Sequence, residues 1–201
     1  MIYKARLLIV TALGLLILSS CFVGSSLIFF ESDTVGKTNL VRNHGFNTNE
    51  LAEQSLPQGW TLMNASTRVP ESIAVDYTES IEGDNSLRID ASPNAVMIVS
   101  EAFPVRRYGG YYVRVKLRSD HLLNQKVQLH FITFNPNGKT LNRFKSKLRP
   151  QTEWKNLSLS AGFIREGARF GRVAILIPPF AEGSIWIDDA GAWEVHSFNI
   201  D

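Results

Sequence analysis

A strand pattern near the C terminus, at residues 183–195, constrains the fold of this chain more than any other stretch. Ile185 and Ile187 alternate with Trp186 and Asp188, which is the period of a β-strand with one buried face. Two adjacent carboxylates, Asp188 and Asp189, interrupt this apolar strand, and a buried carboxylate is costly unless it is hydrogen-bonded or metal-bound. We expect a closing strand that pairs with the start of the domain and holds a carboxylate against a cation or turn amides.

The chain before this strand has the pattern of short strands separated by turns. The clearest case is residues 111–118, where Val113, Val115 and Leu117 share one side and charged residues the other. Further strand patterns lie at 39–47, 73–77, 86–90, 95–103, 126–135, 141–148, 154–160 and 172–177. No window of the domain has a convincing helical period. Roughly nine or ten short strands at this spacing predict an all-β fold, a β-sandwich or jelly roll.

Residues 1–30 have the composition of a targeting segment, with Lys4 and Arg6 before a long apolar run. Residues 7–30 contain no charge, and a helix needs about 20 residues to cross a bilayer. The segment therefore predicts one N-terminal hydrophobic helix that anchors the chain, with its basic end in the cytoplasm. A polar linker is expected at 31–38, and the domain proper at 39–201.

Two alternatives to an uncleaved anchor remain open. Leu18-Ser-Ser-Cys21 resembles a bacterial lipoprotein signal, in which Cys21 would become the lipidated first residue. The other alternative is a cleaved signal peptide. In all three cases the domain lies outside the cytoplasm, facing the periplasm or the cell exterior. Because Cys21 is the only cysteine, the exported domain has no disulfide.

Charge and side-chain spacing exclude several function classes. The formal net charge is only +2, so a uniformly basic nucleic-acid binder is not expected. The four histidines are scattered, without the spacing of metal ligands. Asp188 and Asp189 do not suit a glycosidase pair, because adjacent strand residues face opposite sides. The sequence therefore predicts a non-catalytic protein.

Several short motifs occur in an order that resembles a known family. They are Asn39-Leu-Val-x-Asn-x-Gly-Phe, Leu-Pro-x-Gly-Trp60, Glu-Gly-x-x-Ser-Leu87, Tyr-Tyr-Val-x-Val-x-Leu-Arg-Ser119, Phe-Asn-x-x-Gly138 and Ile-Asp-Asp189. Together they resemble the jelly-roll carbohydrate-binding modules of the xylan- and cellulose-binding kind, within the galactose-binding-like superfamily. The resemblance covers residues 39–195.

The resemblance implies a structural calcium ion near the two chain ends. Its ligands would come from the residue after Gly-Phe, the Gly-x-x-Ser turn and the closing Asp pair. In this sequence the set is Asn47, Gly83, Ser86, Asp188 and Asp189. Calcium prefers carboxylate oxygens, and Asn47 is neutral where the family usually has Glu or Asp. The alternative is that the Asp pair caps turn amides.

The resemblance also implies a glycan-binding sheet face, where aromatic rings stack on sugars and polar groups bind hydroxyls. The candidate residues are Tyr112, Arg114, Lys116, Gln128, His130, Phe134, Arg143 and Arg172. Arginines favour carboxylate or sulfate groups, so an acidic polysaccharide suits this set better than plain cellulose. The alternative is a solvated sheet face.

These expectations combine into a non-catalytic, membrane-tethered, extracytoplasmic carbohydrate-binding module. A second hypothesis is a structural or assembly protein of the cell envelope that uses the same sandwich to bind another protein. The first predicts an oligosaccharide or polysaccharide partner and the second an envelope protein. Neither predicts nucleic acid.

Overall fold

The computed structural model describes residues 27–47, 56–63 and 70–198 of the chain. Within these ranges the chain forms one 3₁₀ helix, Glu31–Thr34, and eleven strands. The strands are β1 (Trp60–Leu62), β2 (Ile73–Asp76), β3 (Ser86–Ser92), β4 (Val96–Ser100), β5 (Phe103–Pro104), β6 (Gly109–Ser119), β7 (Val127–Phe134), β8 (Thr140–Leu148), β9 (Lys155–Ala161), β10 (Phe170–Ile177) and β11 (Phe180–Ser197). The all-β prediction is confirmed.

The predicted N-terminal helix lies mostly outside the described residues, as does Cys21. Residues 27–30, which belong to the same apolar run, are described and are not helical. No helix in the described ranges is long and apolar enough to cross a membrane.

The strands form two antiparallel sheets that face each other, which confirms the predicted β-sandwich. The six-stranded sheet has the order β1-β4-β10-β7-β8, with β5 beside β10. The five-stranded sheet has the order β2-β3-β11-β6-β9. The core lies between them, because alternate residues of each strand turn inward. Val115 of β6 and Leu129 of β7, for example, belong to one buried apolar cluster.

The start of the domain meets the closing strand, as predicted, but through a loop. The Leu40 N–H donates to the Ala192 carbonyl at 2.9 Å, and the Asn39 amide side chain bonds to backbone groups of Ala190 and Ala192, each at 3.1 Å. The strand predicted at 39–47 is wrong. Asn43 and Phe46 have φ values of 51° and 54°, and an extended strand does not contain such left-handed residues.

The N-terminal segment lies along the outer face of the five-stranded sheet, and we call residues 27–38 the strap. The Phe29 N–H donates to Ser160 Oγ at 2.8 Å, and Ser160 Oγ donates back to the Phe29 carbonyl at 3.2 Å. Glu31 accepts hydrogen bonds from Arg114 and, at 2.8 Å, from Asn156 Nδ2. Glu31, the first residue of the predicted linker, is therefore attached to the domain.

Candidate functional site

The eight predicted ligand residues do not share one face. Tyr112, Arg114 and Lys116 lie on β6, in the five-stranded sheet. The other five lie in the six-stranded sheet: Gln128, His130 and Phe134 on β7, Arg143 on β8 and Arg172 on β10. The prediction of a single face is wrong because β6 and β7, although consecutive, belong to opposite sheets. Both edges of β6 are occupied, by β11 and β9.

The β6 residues are occupied by contacts within the chain. Arg114 Nη2 donates to both carboxylate oxygens of Asp189, at 2.6 and 2.7 Å, and Lys116 Nζ lies 3.0 Å from the same carboxylate. The Arg114 guanidinium also stacks 5.2 Å from the Trp193 ring centroid. Tyr112 is buried beside Trp193, at 6.2 Å between ring centroids. These residues hold the closing strand and the strap in place.

The other predicted residues come together on the outer face of the six-stranded sheet. Strand register arranges this face in rows: Met97–Leu176–Gln128–Lys147, Val99–Ala174–His130–Lys145 and Arg172–Ile132–Arg143. Residues directly opposite each other on neighbouring strands are close enough for their side chains to interact. We call the outward side of β10, β7 and β8 the basic face.

The strands of the basic face carry positive charge and no acidic residue of their own. Strands β7, β8 and β10 contain no Asp or Glu. Within the described part of the chain, its four Arg and Lys side chains form no ion pair; they are Arg143, Lys145, Lys147 and Arg172. Unpaired cations that converge on one surface favour an anionic ligand.

An apolar floor lies between these cations. Val99, Ile132 and Ala174 form a small apolar cluster separate from the main core. At one end of the face, the Arg172 guanidinium lies 4.8 Å from the Phe134 ring centroid, and Phe134 stacks on Phe170 at 5.8 Å. The face therefore combines flat apolar surface with hydrogen-bond donors.

His130 is the polar centre of the basic face. Only 6 % of the residue is exposed, and its Nδ1 has no hydrogen-bond partner among the described protein atoms, nor does Arg172 Nε. Burial lowers the pKa of His130, and the charges of Arg143 and Lys145 lower it further, so both effects favour the neutral ring. Beside it lies a pocket of about 330 Å³, lined by Gln128, Lys145, Ser146 and Lys147.

Sequence reasoning missed Lys145 and Lys147. The signal was present, because Arg143, Lys145 and Lys147 alternate along one strand and so must share a side. The apolar floor could not be predicted from the sequence, because Ala174 lies beside His130 only through the register of β10 with β7.

At the opposite sheet, Asp188 caps turn amides, which was one of the two alternatives. Its carboxylate is fully buried and accepts hydrogen bonds from the N–H groups of Ile81 at 2.8 Å, Glu82 at 2.9 Å and Asp189 at 2.7 Å. Burial raises the pKa of Asp188, although these three hydrogen bonds oppose the shift. Asp189 pairs with cations instead, so the two carboxylates point to different partners.

The predicted calcium ligands lie close together but are engaged with protein groups. Asn47 Oδ1 is 3.1 Å from where a Cβ at Gly83 would lie, and the Ser86 hydroxyl donates to the Glu79 carbonyl at 2.5 Å. All four carboxylate oxygens of Asp188 and Asp189 already accept hydrogen bonds or contact cations. This arrangement does not fit an ion that prefers free carboxylate oxygens, so no role is assigned to calcium. Calcium binding stays a prediction.

A different trio of metal-capable side chains lies nearby. His44, Glu82 and Asp189 each place one ligand atom within 4.8 Å of the others. His44 Nδ1 and Glu82 Oε2 are 2.7 Å apart and form a pair with each other. Asp189 is committed to Arg114, so this trio is explained by ion pairing.

Solved structures share this sandwich. The carbohydrate-binding module TmCBM61 in complex with β-1,4-galactotriose aligns with a TM-score of 0.52 at 15 % identity, over 78 % of this chain and 99 % of that one. The chain has the β-sandwich fold of carbohydrate-binding modules. A CBM4 structure agrees, with a TM-score of 0.51 and 12 % identity over 76 % of this chain and 98 % of that one.

The same sandwich also occurs inside larger proteins. The enzymatically active domain of tailspike protein 4 from bacteriophage CBA120 aligns with a TM-score of 0.58 at 12 % identity. The alignment covers 77 % of this module but only 21 % of the tailspike structure. No protein-family model and no curated protein matches the chain. Structural likeness at such low sequence identity establishes the fold alone. The function must be argued from the chemistry of this chain's own surfaces.

Proposed function

We propose that the chain is a non-catalytic, membrane-tethered carbohydrate-binding module that binds an acidic polysaccharide on its basic face. The observation that carries the proposal is the set of four cations on β8 and β10 that form no ion pair with any described residue, beside an apolar floor and without any acid in β7, β8 or β10. The shared fold with carbohydrate-binding modules supports the same function.

The basic face suits a repeating anionic chain for a physical reason. Alternate residues of a strand are about 7 Å apart, so Arg143, Lys145 and Lys147 form a regular row of cations. Sugar rings have apolar C–H faces that rest on surfaces such as the floor at Ile132 and Ala174, while carboxylates take the charged donors. A neutral polysaccharide would leave those cations unused.

The proposal of a non-catalytic role has its own support. Hydrolysis of a glycosidic bond needs two carboxyl groups that flank the bond, and the three strands of the basic face contain none. The adjacent pair Asp188 and Asp189 lies in the other sheet and is committed to turn amides and to Arg114.

Affinity gel electrophoresis of the full chain in detergent tests the proposal. Polygalacturonate is the acidic probe and β-1,4-galactan the neutral one. We expect retardation by polygalacturonate that weakens with salt. A hydrogen bond to a charged group is worth about 1.5–3 kcal/mol, so Arg172→Ala and Lys147→Ala should each weaken binding roughly tenfold or more. Lys155→Ala, an exposed strand lysine of the other sheet, is the matched control and should bind normally.

Two results would contradict the proposal. Equal retardation by the neutral galactan would show that the cations do not select the ligand. Unchanged binding in both Arg172→Ala and Lys147→Ala would show that the basic face is not the binding site. Absence of any glycan binding, together with co-purification of a membrane protein, would favour the envelope assembly role.

A further inference from the structure

One end of the sandwich exposes a contiguous apolar surface, which we call the aromatic end. Its rings form a chain of contacts: Phe29 lies 6.4 Å from His196, His196 lies 4.4 Å from Phe198, and Phe198 lies 5.9 Å from Phe163. Tyr108 continues the chain, 5.3 Å from Phe163. The contacts join the strap to the loop before β6, the loop after β9 and the end of β11.

Apolar residues of this end remain open to solvent. Ile28 is 65 % exposed and Phe163 is 49 % exposed. Leu27 packs against Gly162, where a Cβ would lie 2.8 Å from Leu27 Cδ1. Phe163 also has a φ of 61°, a conformation that bulky residues rarely adopt. In this conformation its ring lies half exposed beside Tyr108 and Phe198. Exposed apolar groups gathered at one place mark an interaction surface.

The sequence before Leu27 identifies what this surface faces. Residues 7–26 carry no charge and are long enough to cross a bilayer, and Leu27 is already packed on the sandwich. No free linker therefore separates the apolar run from the domain. If Cys21 carries the lipid instead, the six residues to Leu27 span about 20 Å at most.

We propose that the aromatic end rests on the lipid bilayer that holds the N-terminal segment, with its rings at the level of the headgroups. Aromatic side chains favour this interface because they combine an apolar body with polar or polarised edges. Arg107 stands over the Tyr108 ring at 5.7 Å and also lies 3.7 Å from Glu166, and Arg165 is exposed close to Phe163 in sequence, so arginines border the rings where lipid phosphates would lie.

Contact between the aromatic end and the bilayer would determine how far each part of the basic face lies from the membrane. β7 ends at Phe134, which pairs with Phe170, the first residue of β10. The loop that leads into Phe170 contains Phe163, so this end of β7 lies at the aromatic end. Gln128 lies six residues away along the same strand, about 20 Å from Phe134 and so from the aromatic end. The pocket at Gln128 and Lys147 therefore lies at the part of the basic face far from the aromatic end, where an external polymer has access. The docking rests on the tether proposed above but not on glycan binding.

Site-specific fluorescence in vesicles tests the contact. In a Cys21→Ser background, which leaves the apolar run intact, single cysteines are introduced by Ile28→Cys and Phe163→Cys and labelled with an environment-sensitive dye. Leu122→Cys is the matched control, because Leu122 is an apolar residue 74 % exposed in the β6–β7 loop at the opposite end. The full chain is reconstituted in vesicles of phosphatidylethanolamine and phosphatidylglycerol, with and without lipids that carry a nitroxide near the headgroup.

We expect the dyes at positions 28 and 163 to shift to the blue and to lose emission with nitroxide lipids, while the dye at 122 does neither. Equal behaviour at all three positions would overturn the proposal. If Phe163→Cys fails to fold by circular dichroism, the comparison of position 28 with position 122 decides. A chain that does not float with vesicles overturns both the tether and the docking, whereas glycan retention in detergent tests the binding function separately.

Discussion

Replacing Arg114 with alanine distinguishes a structural role of the five-stranded sheet from a ligand-binding role. The Arg114 side chain is only 10 % exposed and the Asp189 side chain 13 %. Arg114 donates to both carboxylate oxygens of Asp189 and also to Glu31 of the strap. The substitution therefore leaves a nearly buried carboxylate with Lys116 as its remaining cation and releases one attachment of the strap.

The expected cost follows from this geometry. Removing one partner of a buried ion pair costs about 3–5 kcal/mol, and the remaining Lys116 places the cost near the lower end, about 3 kcal/mol. For a domain of this size, 1 kcal/mol shifts the thermal midpoint by roughly 2–4 °C, so we expect Arg114→Ala to unfold roughly 6–12 °C earlier. Circular dichroism of the β-sheet signal measures the midpoint.

The matched variant is Arg172→Ala, which removes an arginine from the other sheet. There no ion pair among the described residues is broken, so we expect a stability within about 1 kcal/mol of the parent, a midpoint shift of at most roughly 4 °C, together with weak retention on polygalacturonate. Below its own midpoint, Arg114→Ala should bind the polysaccharide normally. The reasoning is refuted if Arg114→Ala keeps the parent midpoint but loses retention, because Arg114 would then serve the ligand.

Three further outcomes are expected. Burial raises the pKa of Asp76, but hydrogen bonds from Thr78 and Trp186 outweigh this and hold the pKa well below its ordinary value. The stability contributed by the ionised Asp76 carboxylate is present above about pH 4 and is lost as the pH falls further. Asp76→Asn should therefore make the free energy of unfolding in urea depend less steeply on pH in the acid range, and an unchanged dependence would contradict this. Gly191→Ala should lower the thermal midpoint strongly, because its Cβ would overlap the Trp193 ring, and a parent-like midpoint would show that the ring moves aside. Chelation with EDTA should leave the midpoint unchanged, since the carboxylates of the chain ends are engaged by protein donors; a clear fall would support the calcium prediction.

Local patterns in the sequence predicted the strands because a strand needs only its own period of two. The alternation at 111–118 placed Val113, Val115 and Leu117 in the core, and the structure agrees. The motif at the closing strand predicted that the chain ends meet beside Asp188, and Asn39 indeed bonds to Ala190 and Ala192. Both outcomes depend on neighbours in sequence or on a motif whose geometry is recurrent.

The assembly of a binding face is different, because it depends on which strand edges pair. β6 and β7 have equally clear patterns and a short connection, yet they lie in opposite sheets, and this divided the predicted ligand set in two. Nothing in the local pattern of β6 indicates that Arg114 meets Asp189, which is 75 residues away.

The sequence by itself determined that this protein is a sandwich of alternating strands with a closing carboxylate pair, since side-chain alternation and turn chemistry are local. Among the described residues, only the tertiary structure decided which basic side chains form ion pairs, because charges pair across strands brought together from distant parts of the chain. Arg114 and Arg172 look alike in sequence; burial against Asp189 commits the first to the fold, whereas β7, β8 and β10 contain no acid and the second has no ion pair among the described residues.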